Sequence, residues 1–213
     1  MDIFLIILGG IFAYLIGSIP TSVWYGKAYF GIDIRDYGSG NAGATNTFRV
    51  LGKRAGTVVM LVDVLKGATA TLLAMFLYYL DIVSFPNIVF YKLAYGILAI
   101  VGHIFPIYEN FKGGKGVAAL LGMTLAIHIW VALICIGVFL IVLLASRYVS
   151  LGSMLATLTF PLLSLTPRFS PDEPIVIVFG FTMFLLVILT HQKNIIRMLN
   201  GEENKTYLRL RKR

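Results

Sequence analysis

Glycine, lysine and small polar residues are concentrated in three short segments of an otherwise apolar sequence. These segments are DYGSGNAGATNTFRVLGKRAG (36–56), GHIFPIYENFKGGKG (102–116) and THQKNIIRMLNGEENK (190–205). Glycine lets the backbone turn and approach a ligand closely, and backbone amides at a helix start bind phosphate oxygens together with Lys or Arg. The three segments therefore predict the binding of phosphorylated molecules.

The first segment combines flexible glycines with hydrogen-bonding side chains. Asn46 and Arg49 are three positions apart, so one helical turn would place the amide and the guanidinium on the same face. The guanidinium fork matches a pair of phosphate oxygens. The other candidates for ligand contact in this segment are Ser39, Asn41, Gly43 and Thr45. The alternative is a polar loop with helix caps and an arginine that only marks the cytoplasmic side.

The second segment contains the sequence FKGGKG. The amides of Gly113 and Gly114 could form an anion-binding nest at the start of the next helix, and Lys112 or Lys115 could add a positive charge. This is not a Walker A loop, because position 109 is not glycine and glycine follows the lysine where Ser or Thr is required. A nucleotide ligand is therefore not expected. The alternative is a membrane boundary, where Gly and Lys are also common.

The third segment repeats polar residues at intervals of three. We expect His191, Asn194 and Arg197 on one face of a helix that continues from the last apolar segment and ends at Gly201. His191 could act as a general base or bind an anion, because the unperturbed pKa of imidazole lies near neutrality. The alternative is a helix cap or an interfacial residue.

Other polar residues lie within or beside the apolar segments. Asp63 and Lys66 fall on one helical face at membrane depth, where charges are rare, and we favour a structural ion pair. His103 is also interpreted as structural, whereas Ser150 could donate a hydrogen bond to an anion or begin a helix. We predict no metal site, because the acidic residues and histidines lack ligand spacing.

The composition indicates an integral membrane protein with a single domain, residues 1–213. The chain is 58% hydrophobic and 13% charged, with a mean hydropathy of +0.86, which is too apolar for a water-exposed surface. Residues 1–25 lack the basic start and the cleavage site of a removable signal peptide. The net charge of +8 is divided among short loops, which argues against nucleic acid binding. The single cysteine, Cys135, excludes an internal disulfide.

The apolar segments predict an all-α fold with seven transmembrane helices. A bilayer core requires about 20 apolar residues per helix. The segment 116–145 is therefore too long for one upright helix but short for two. With two crossings there, all Lys and Arg residues except Lys92 and Arg168 fall on one side, as the positive-inside rule favours. The fourth and fifth helices would then be short or partly re-entrant near His128 and Trp130. The predicted spans are 3–25, 56–80, 88–107, two within 116–145, 149–165 and 174–190.

This topology places the amino terminus outside, the carboxyl terminus in the cytoplasm and all three polar segments at the cytoplasmic face. The basic tail LRLRKR, residues 208–213, is predicted to bind anionic lipid headgroups. A transporter for a phosphorylated solute is an alternative, but transporters commonly have paired halves with broken helices near the midplane. The sequence has no evident internal repeat, and its polar segments gather at one face. We therefore favour an enzyme.

The sequence resembles the bacterial PlsY family of membrane acyl-phosphate:glycerol-3-phosphate acyltransferases. The resemblance runs nearly end to end and is carried by SGNAGATNTFR, GHIFPIYENFKGGKGVA and HQKNIIRMLNGEENK, with DVLKG and YVSLGS in addition. It implies seven spans in the bacterial cytoplasmic (inner) membrane and transfer of a fatty acyl group from acyl phosphate to the 1-hydroxyl of sn-glycerol 3-phosphate. The products would be lysophosphatidic acid and inorganic phosphate, in the first acylation of phospholipid synthesis and without a cofactor.

The resemblance also implies roles for the polar residues. The residues that bind glycerol 3-phosphate would be Ser39 and the catalytic set, which consists of His191, Arg49, Asn194 and a lysine, Lys112 or Lys115. Thr45, Asn46 and Ser150 would lie against the acyl phosphate. The remaining predicted substrate contacts are Asn41, Gly43, Gly113, Gly114 and Glu203. Asn204 replaces a proline that is frequent in the family, which leaves Glu203 in register.

The chemistry of an acyl phosphate sets what such an enzyme must do. It is a mixed anhydride with a good leaving group, so alignment and charge neutralisation are sufficient without a covalent intermediate. The hydroxyl proton could pass to His191 or to a phosphate oxygen, and we favour the phosphate because no carboxylate lies near His191 in sequence. Only the resemblance selects acyl phosphate over acyl-CoA or acyl carrier protein. The sequence does not indicate the acyl chain length or the oligomeric state.

Overall fold

A computed structural model describes residues 1–206, which form helices and connecting loops with no β-strand among them. The all-helical prediction is therefore confirmed for this part of the chain. The basic tail LRLRKR, with its predicted lipid contact, lies outside the described residues. The chain divides into two compact units, Met1–Ile129 and Trp130–Arg213.

The first unit contains seven α-helices and three short 3-10 turns. The α-helices are α1 (Asp2–Gly17), α2 (Thr21–Phe30), α3 (Ala44–Val50), α4 (Gly52–Leu72), α5 (Ala74–Tyr79), α6 (Ile88–Ile104) and α7 (Val117–Ile127). The 3-10 turns are Ile34–Asp36, Phe85–Asn87 and Ile107–Glu109. The helices that follow are α8 (Ile129–Ser146), α9 (Val149–Ser164), α10 (Ile175–Thr190) and α11 (Gln192–Leu199).

Three helical segments within residues 1–206 are long and apolar enough to cross a membrane: Gly52–Tyr79, Phe85–Glu109 and Ile129–Ser146. Two more qualify if a bent pair counts as one span, namely α1 with α2, bent by 43°, and α10 with α11, bent by 61°. The helices α7 and α9 are apolar but shorter. The structure supports a multi-pass membrane protein with three to five candidate spans, and the count of seven stays a prediction.

The first predicted span, residues 3–25, is not one straight helix. It breaks after α1, because Pro20 has no amide hydrogen and disfavours helical geometry in the residue before it. The helix then resumes as α2 and runs five residues beyond the predicted end, to Phe30. It stops there because Gly31 adopts a left-handed conformation with φ of 68°.

Residues 116–145 form two helices, as predicted. His128 between them is extended, with φ of −149° and ψ of 91°, so the break falls at the predicted residue. The helix before it, α7, has 11 residues and is short, as expected. The helix after it, α8, has 18 residues and is long enough to span, so the expectation of a short fifth helix is wrong by length.

Glycines bring helices of the first unit into close backbone contact. A Cβ atom at Gly67 of α4 would overlap the backbone of Ala119 on α7, and one at Gly122 of α7 would overlap the carbonyl of Val64. Small residues at such contacts are how membrane helices approach closely enough to pack without a hydrophobic driving force. The α4–α7 contact supports the 36–56 and 102–116 segments, which adjoin these two helices.

We expect Gly67→Ala and Gly122→Ala each to destabilise the purified protein by about 1–3 kcal/mol, because the added methyl meets backbone that cannot move aside. Gly137→Ala is the matched control, since a Cβ at Gly137 has no atom within 4 Å. Thermal unfolding in detergent, followed by size-exclusion chromatography, measures the effect. Equal melting temperatures for the three variants would contradict the proposed contact.

Candidate active site

Asn46 organises the loop of the first segment. Its Nδ2 donates to the carbonyls of Ile34 and Tyr37, both at 3.0 Å, and its Oδ1 accepts from the amide of Ser39 at 2.9 Å. The residue is 1% exposed. A Cβ at Gly38, whose φ is 63°, would overlap Asn46 Oδ1, so the loop requires glycine there. Asn46 thus holds the loop that carries Ser39.

Arg49, three residues after Asn46 on α3, differs from it in exposure. It is exposed, as is Thr45 one helical turn earlier, and its guanidinium forms no hydrogen bond or ion pair with residues 1–206. Both residues lie on one turn of α3, as expected, but the Asn46 amide is bonded to the loop backbone, so of the two only Arg49 is exposed. The exposed face of α3 is formed by Thr45 and Arg49, whereas Asn41 and Gly43 before the helix are partly buried.

The amides of the glycine loop, which we define as residues 111–116 (FKGGKG), are used differently from the prediction. The amide of Gly113 donates to the carbonyl of Ile104 and that of Gly114 to the carbonyl of His103, both at 3.0 Å. The amides of Phe111 and Lys112 also donate to backbone carbonyls, at 2.9 and 3.1 Å. An anion nest at Gly113 and Gly114 is therefore not formed. The amides that lack an intrahelical acceptor are those in the first turn of α7, which begins after the loop.

Close packing, and not anion binding, explains the two adjacent glycines. A Cβ at Gly113 would overlap the carbonyl oxygens of His103 and Ile104, and one at Gly114 would overlap the imidazole of His103. The two lysines of the loop differ: Lys112 is exposed, with no hydrogen bond or ion pair from its ammonium to the described residues, whereas Lys115 is partly buried and engaged.

An ion-pair network that the sequence analysis did not find joins residues 27–35, just before the first segment, to the second segment. Arg35 Nη2 lies 2.6 Å from both Asp33 Oδ2 and Glu109 Oε2, and Lys27 Nζ lies 3.3 Å from Glu109 Oε1. The hydrogen bond from Arg35 lowers the pKa of Asp33 to about 2, and Asp33 raises the pKa of Arg35. Arg35 Nη1 also donates to the carbonyl of Lys112 at 3.5 Å. The network therefore fixes the base of the glycine loop.

The intramembrane pair predicted in DVLKG is confirmed. Lys66 Nζ lies 2.9 Å from Asp63 Oδ1, and both side chains are almost fully buried. His103, interpreted as structural, is buried beside them with Nδ1 3.8 Å from Asp63 Oδ1.

Glu203 is the centre of the polar cluster in the second unit. Its Oε1 accepts from Ser150 Oγ at 2.9 Å and from Asn194 Nδ2 at 2.6 Å, and its Oε2 lies 3.1 Å from Arg197 Nε. The Glu203 side chain is 6% exposed. The structure thus brings together three predicted site residues, Ser150, Asn194 and Glu203. The carboxylate faces protein donors, which suits orientation of these groups better than direct contact with an anionic substrate.

His191 lies where the last two helices meet. Its Nδ1 is 2.8 Å from the carbonyl oxygen of Val187, so Nδ1 carries the hydrogen and Nε2 is the acceptor nitrogen of the neutral ring. The sequence predicts that the helix continues through this residue. Instead, the chain bends by 61° between α10 and α11. The predicted stop at Gly201 is confirmed by its left-handed φ of 75°.

Comparison with known proteins identifies the family. The sequence model described as glycerol-3-phosphate acyltransferase matches residues 7–201. A relative with that name from Chlorobium phaeobacteroides is 41% identical over 219 residues, covering 91% of this chain and 93% of the relative. Another from Listeria monocytogenes is 45% identical over 200 residues, covering 94% and 96%.

The fold is similar to two crystal structures of PlsY, an integral membrane glycerol 3-phosphate acyltransferase. The glycerol 3-phosphate form is 37% identical with a TM-score of 0.83, covering 97% of this chain and 96% of that chain. The lysophosphatidic acid form is 35% identical with a TM-score of 0.79, covering 97% and 95%. Sequence and fold agree over almost the whole length: the chain belongs to the glycerol-3-phosphate acyltransferase family.

Proposed function

We propose that this acyltransferase moves a fatty acyl group from acyl phosphate to the 1-hydroxyl of sn-glycerol 3-phosphate, giving lysophosphatidic acid and inorganic phosphate. The family and the two forms named for the similar PlsY structures support this acceptor and this product. The observation in this chain that carries the proposal is that Arg49 and Lys112 are exposed cations without a carboxylate partner among residues 1–206. Such cations beside apolar helices suit substrates that combine phosphate with an acyl chain.

We also propose seven spans in a bacterial inner membrane, with the amino terminus outside and the carboxyl terminus and reacting groups on the cytoplasmic side. The two bent pairs and the shorter helices α7 and α9 supply the four spans needed beyond the three long segments. The positive-inside pattern of Lys and Arg supports this orientation. Both compact units would then serve one acyltransferase domain, with no cofactor.

We assign each predicted residue a role within its own unit. In the first unit, Arg49 binds a substrate phosphate, aided by Lys112 or Lys115 and by the polar groups of Ser39, Asn41 and Thr45, while Asn46, Gly43, Gly113 and Gly114 shape the backbone around them. In the second unit, His191 and Asn194 bind the glycerol moiety and Ser150 the acyl phosphate. Glu203 orients Asn194 and Ser150.

The reaction forms one ester bond and breaks one anhydride bond. The 1-hydroxyl oxygen attacks the acyl carbonyl, the bond from that carbonyl carbon to the phosphate oxygen breaks, and the released phosphate takes the hydroxyl proton as it leaves. His191 Nε2 accepts a hydrogen bond from the 2-hydroxyl of glycerol 3-phosphate and so orients the glycerol moiety, because its Nδ1 is held by the Val187 carbonyl. The cations neutralise charge on the departing phosphate.

The donor is tested with purified protein reconstituted in lipid. Radiolabelled glycerol 3-phosphate is supplied with palmitoyl phosphate, palmitoyl-CoA or palmitoyl-acyl carrier protein in turn, and lysophosphatidic acid and phosphate are quantified. We expect product only with palmitoyl phosphate, in equal amounts with released phosphate. Equal rates with a thioester donor would contradict the donor assignment, and uptake of glycerol 3-phosphate into vesicles without acylation would favour transport.

A further inference from the structure

Buried polar side chains from three helices meet beneath the glycine loop. Asp63 on α4 accepts a hydrogen bond from the hydroxyl of Thr21 on α2 at 3.0 Å, in addition to its ion pair with Lys66. Lys66 Nζ also donates to the carbonyl of Ile19 at 2.8 Å, at the break between α1 and α2. Asp63, Lys66 and His103 of α6 are 2%, 5% and 6% exposed.

Stability alone does not account for this cluster. A buried ion pair in general contributes little net stability, because the desolvation of both charges offsets their attraction. The cluster lies at the base of the loop whose lysines are proposed to meet the substrate. The cluster is therefore in position to hold that loop.

The His103 side chain is one wall of a small cavity. Nδ1 is buried without a hydrogen-bond partner among residues 1–206, and its 3.8 Å distance to Asp63 Oδ1 is too long for a direct bond. The cavity has a water-accessible volume of about 10 Å³ and is lined by Thr21, Asp63, Lys66 and His103, together with Gly113 and Gly114. A polar cavity of that size has room for one water molecule.

The other nitrogen of the ring supports the glycine loop. A Cβ at Gly114 would overlap His103 Nε2, so the loop backbone rests directly on the imidazole. The carbonyl of His103 also accepts the amide of Gly114 at 3.0 Å.

We infer that His103 is a positioning residue for the acceptor: its imidazole, packed beside Asp63 and Lys66, forms the floor of the glycine loop. The ring sets the place of Gly114, and with it Lys112, Lys115 and the first turn of α7. This inference rests on the proposed function, in which this loop binds glycerol 3-phosphate. It adds a residue that does not itself touch the substrate.

The test is binding of glycerol 3-phosphate to the purified wild type, His103→Asn and His103→Gln by isothermal titration calorimetry, without any acyl donor. Asparagine keeps a polar group at the δ position but loses the end of the ring under Gly114, so we expect the Kd to rise about tenfold, or about 1.4 kcal/mol. Glutamine reaches the ε position and should restore binding to within about threefold of wild type. Ser22→Ala, which removes a buried unpartnered hydroxyl elsewhere in the unit, should bind as wild type.

Kinetics separates positioning from folding. We expect His103→Asn to raise KM for glycerol 3-phosphate while KM for acyl phosphate and kcat per folded enzyme stay within about twofold, whereas mere misfolding lowers activity without changing either KM. Wild-type affinity for glycerol 3-phosphate in folded His103→Asn would overturn the inference. So would a loss of affinity in His103→Gln equal to that in His103→Asn. If His103→Asn does not fold, His103→Gln decides alone: near wild-type binding supports the role, and tenfold loss overturns it.

The assignment of acyl phosphate as the donor can fail independently of the role of His103. If the wild type binds glycerol 3-phosphate and the variants shift that binding, but acyl phosphate gives no product, the donor assignment fails and the role of His103 stands. If the wild type transfers the acyl group and both variants bind normally, the role of His103 fails and the proposed function stands. A wild type that does not bind glycerol 3-phosphate would overturn both.

Discussion

Replacement of Arg49 by alanine is expected to lower kcat/KM for glycerol 3-phosphate by about 100-fold or more. Each charge-assisted hydrogen bond between a guanidinium and a phosphate contributes about 1.5–3 kcal/mol to binding, and a bidentate guanidinium forms two. Every 1.4 kcal/mol of lost binding free energy lowers the binding constant about tenfold. Arg49 is available for this role because it is exposed and has no ion-pair partner among the described residues. Steady-state titration of glycerol 3-phosphate at saturating acyl phosphate measures the loss.

Two further variants show whether the guanidinium itself matters. Arg49→Lys keeps the charge but loses the fork, so we expect an intermediate loss of about tenfold. Arg54→Ala makes the same change in charge at an exposed position five residues away and should stay within about twofold of wild type. All three variants should unfold at the wild-type temperature, because both arginines are on the surface. If Arg49→Ala and Arg54→Ala lowered kcat/KM equally, the effect would come from the overall positive charge and not from a specific contact of Arg49.

Local features of the structure were predictable from residue spacing. Asp63 and Lys66 are three positions apart on a helix, and that geometry alone brings their side chains together. The stop at Gly201 and the break at His128 follow from a glycine and from the length of the apolar segment. In each case the deciding interaction lies within a few residues along the chain.

Contacts across long stretches of sequence could not be predicted in this way. The amides of Gly113 and Gly114 were expected to face an anion, but they meet the carbonyls of His103 and Ile104, whose position depends on how α6 ends. Arg35 was counted only as a positive-inside residue, although it pairs with Glu109, 74 positions away. The residue type indicates what a group can bond to, whereas the fold decides which partner reaches it first.

Glu203 also forms such a long-range contact, with Ser150, which lies 53 positions earlier. We expect its removal to lower both activity and stability strongly. Glu203→Ala should lower kcat about 100-fold and destabilise the protein by about 3 kcal/mol, because it removes the carboxylate that accepts from the buried Ser150 and Asn194 and pairs with Arg197. Activity and thermal unfolding of the same purified sample measure both effects. Glu203→Gln, which keeps an acceptor oxygen but not the charge, should lie between Glu203→Ala and the wild type.

Glu202 gives a matched control for this prediction. It is the same residue type one position earlier, is exposed, and Glu202→Ala should leave both activity and unfolding temperature unchanged. Suppressing the Glu203→Ala defect also tests the mechanism: if the defect arises from unpaired donors, adding Ser150→Ala should restore part of the lost stability, because one of those donors is then gone. Strictly additive losses in the double variant would show that Glu203 acts through some other contact.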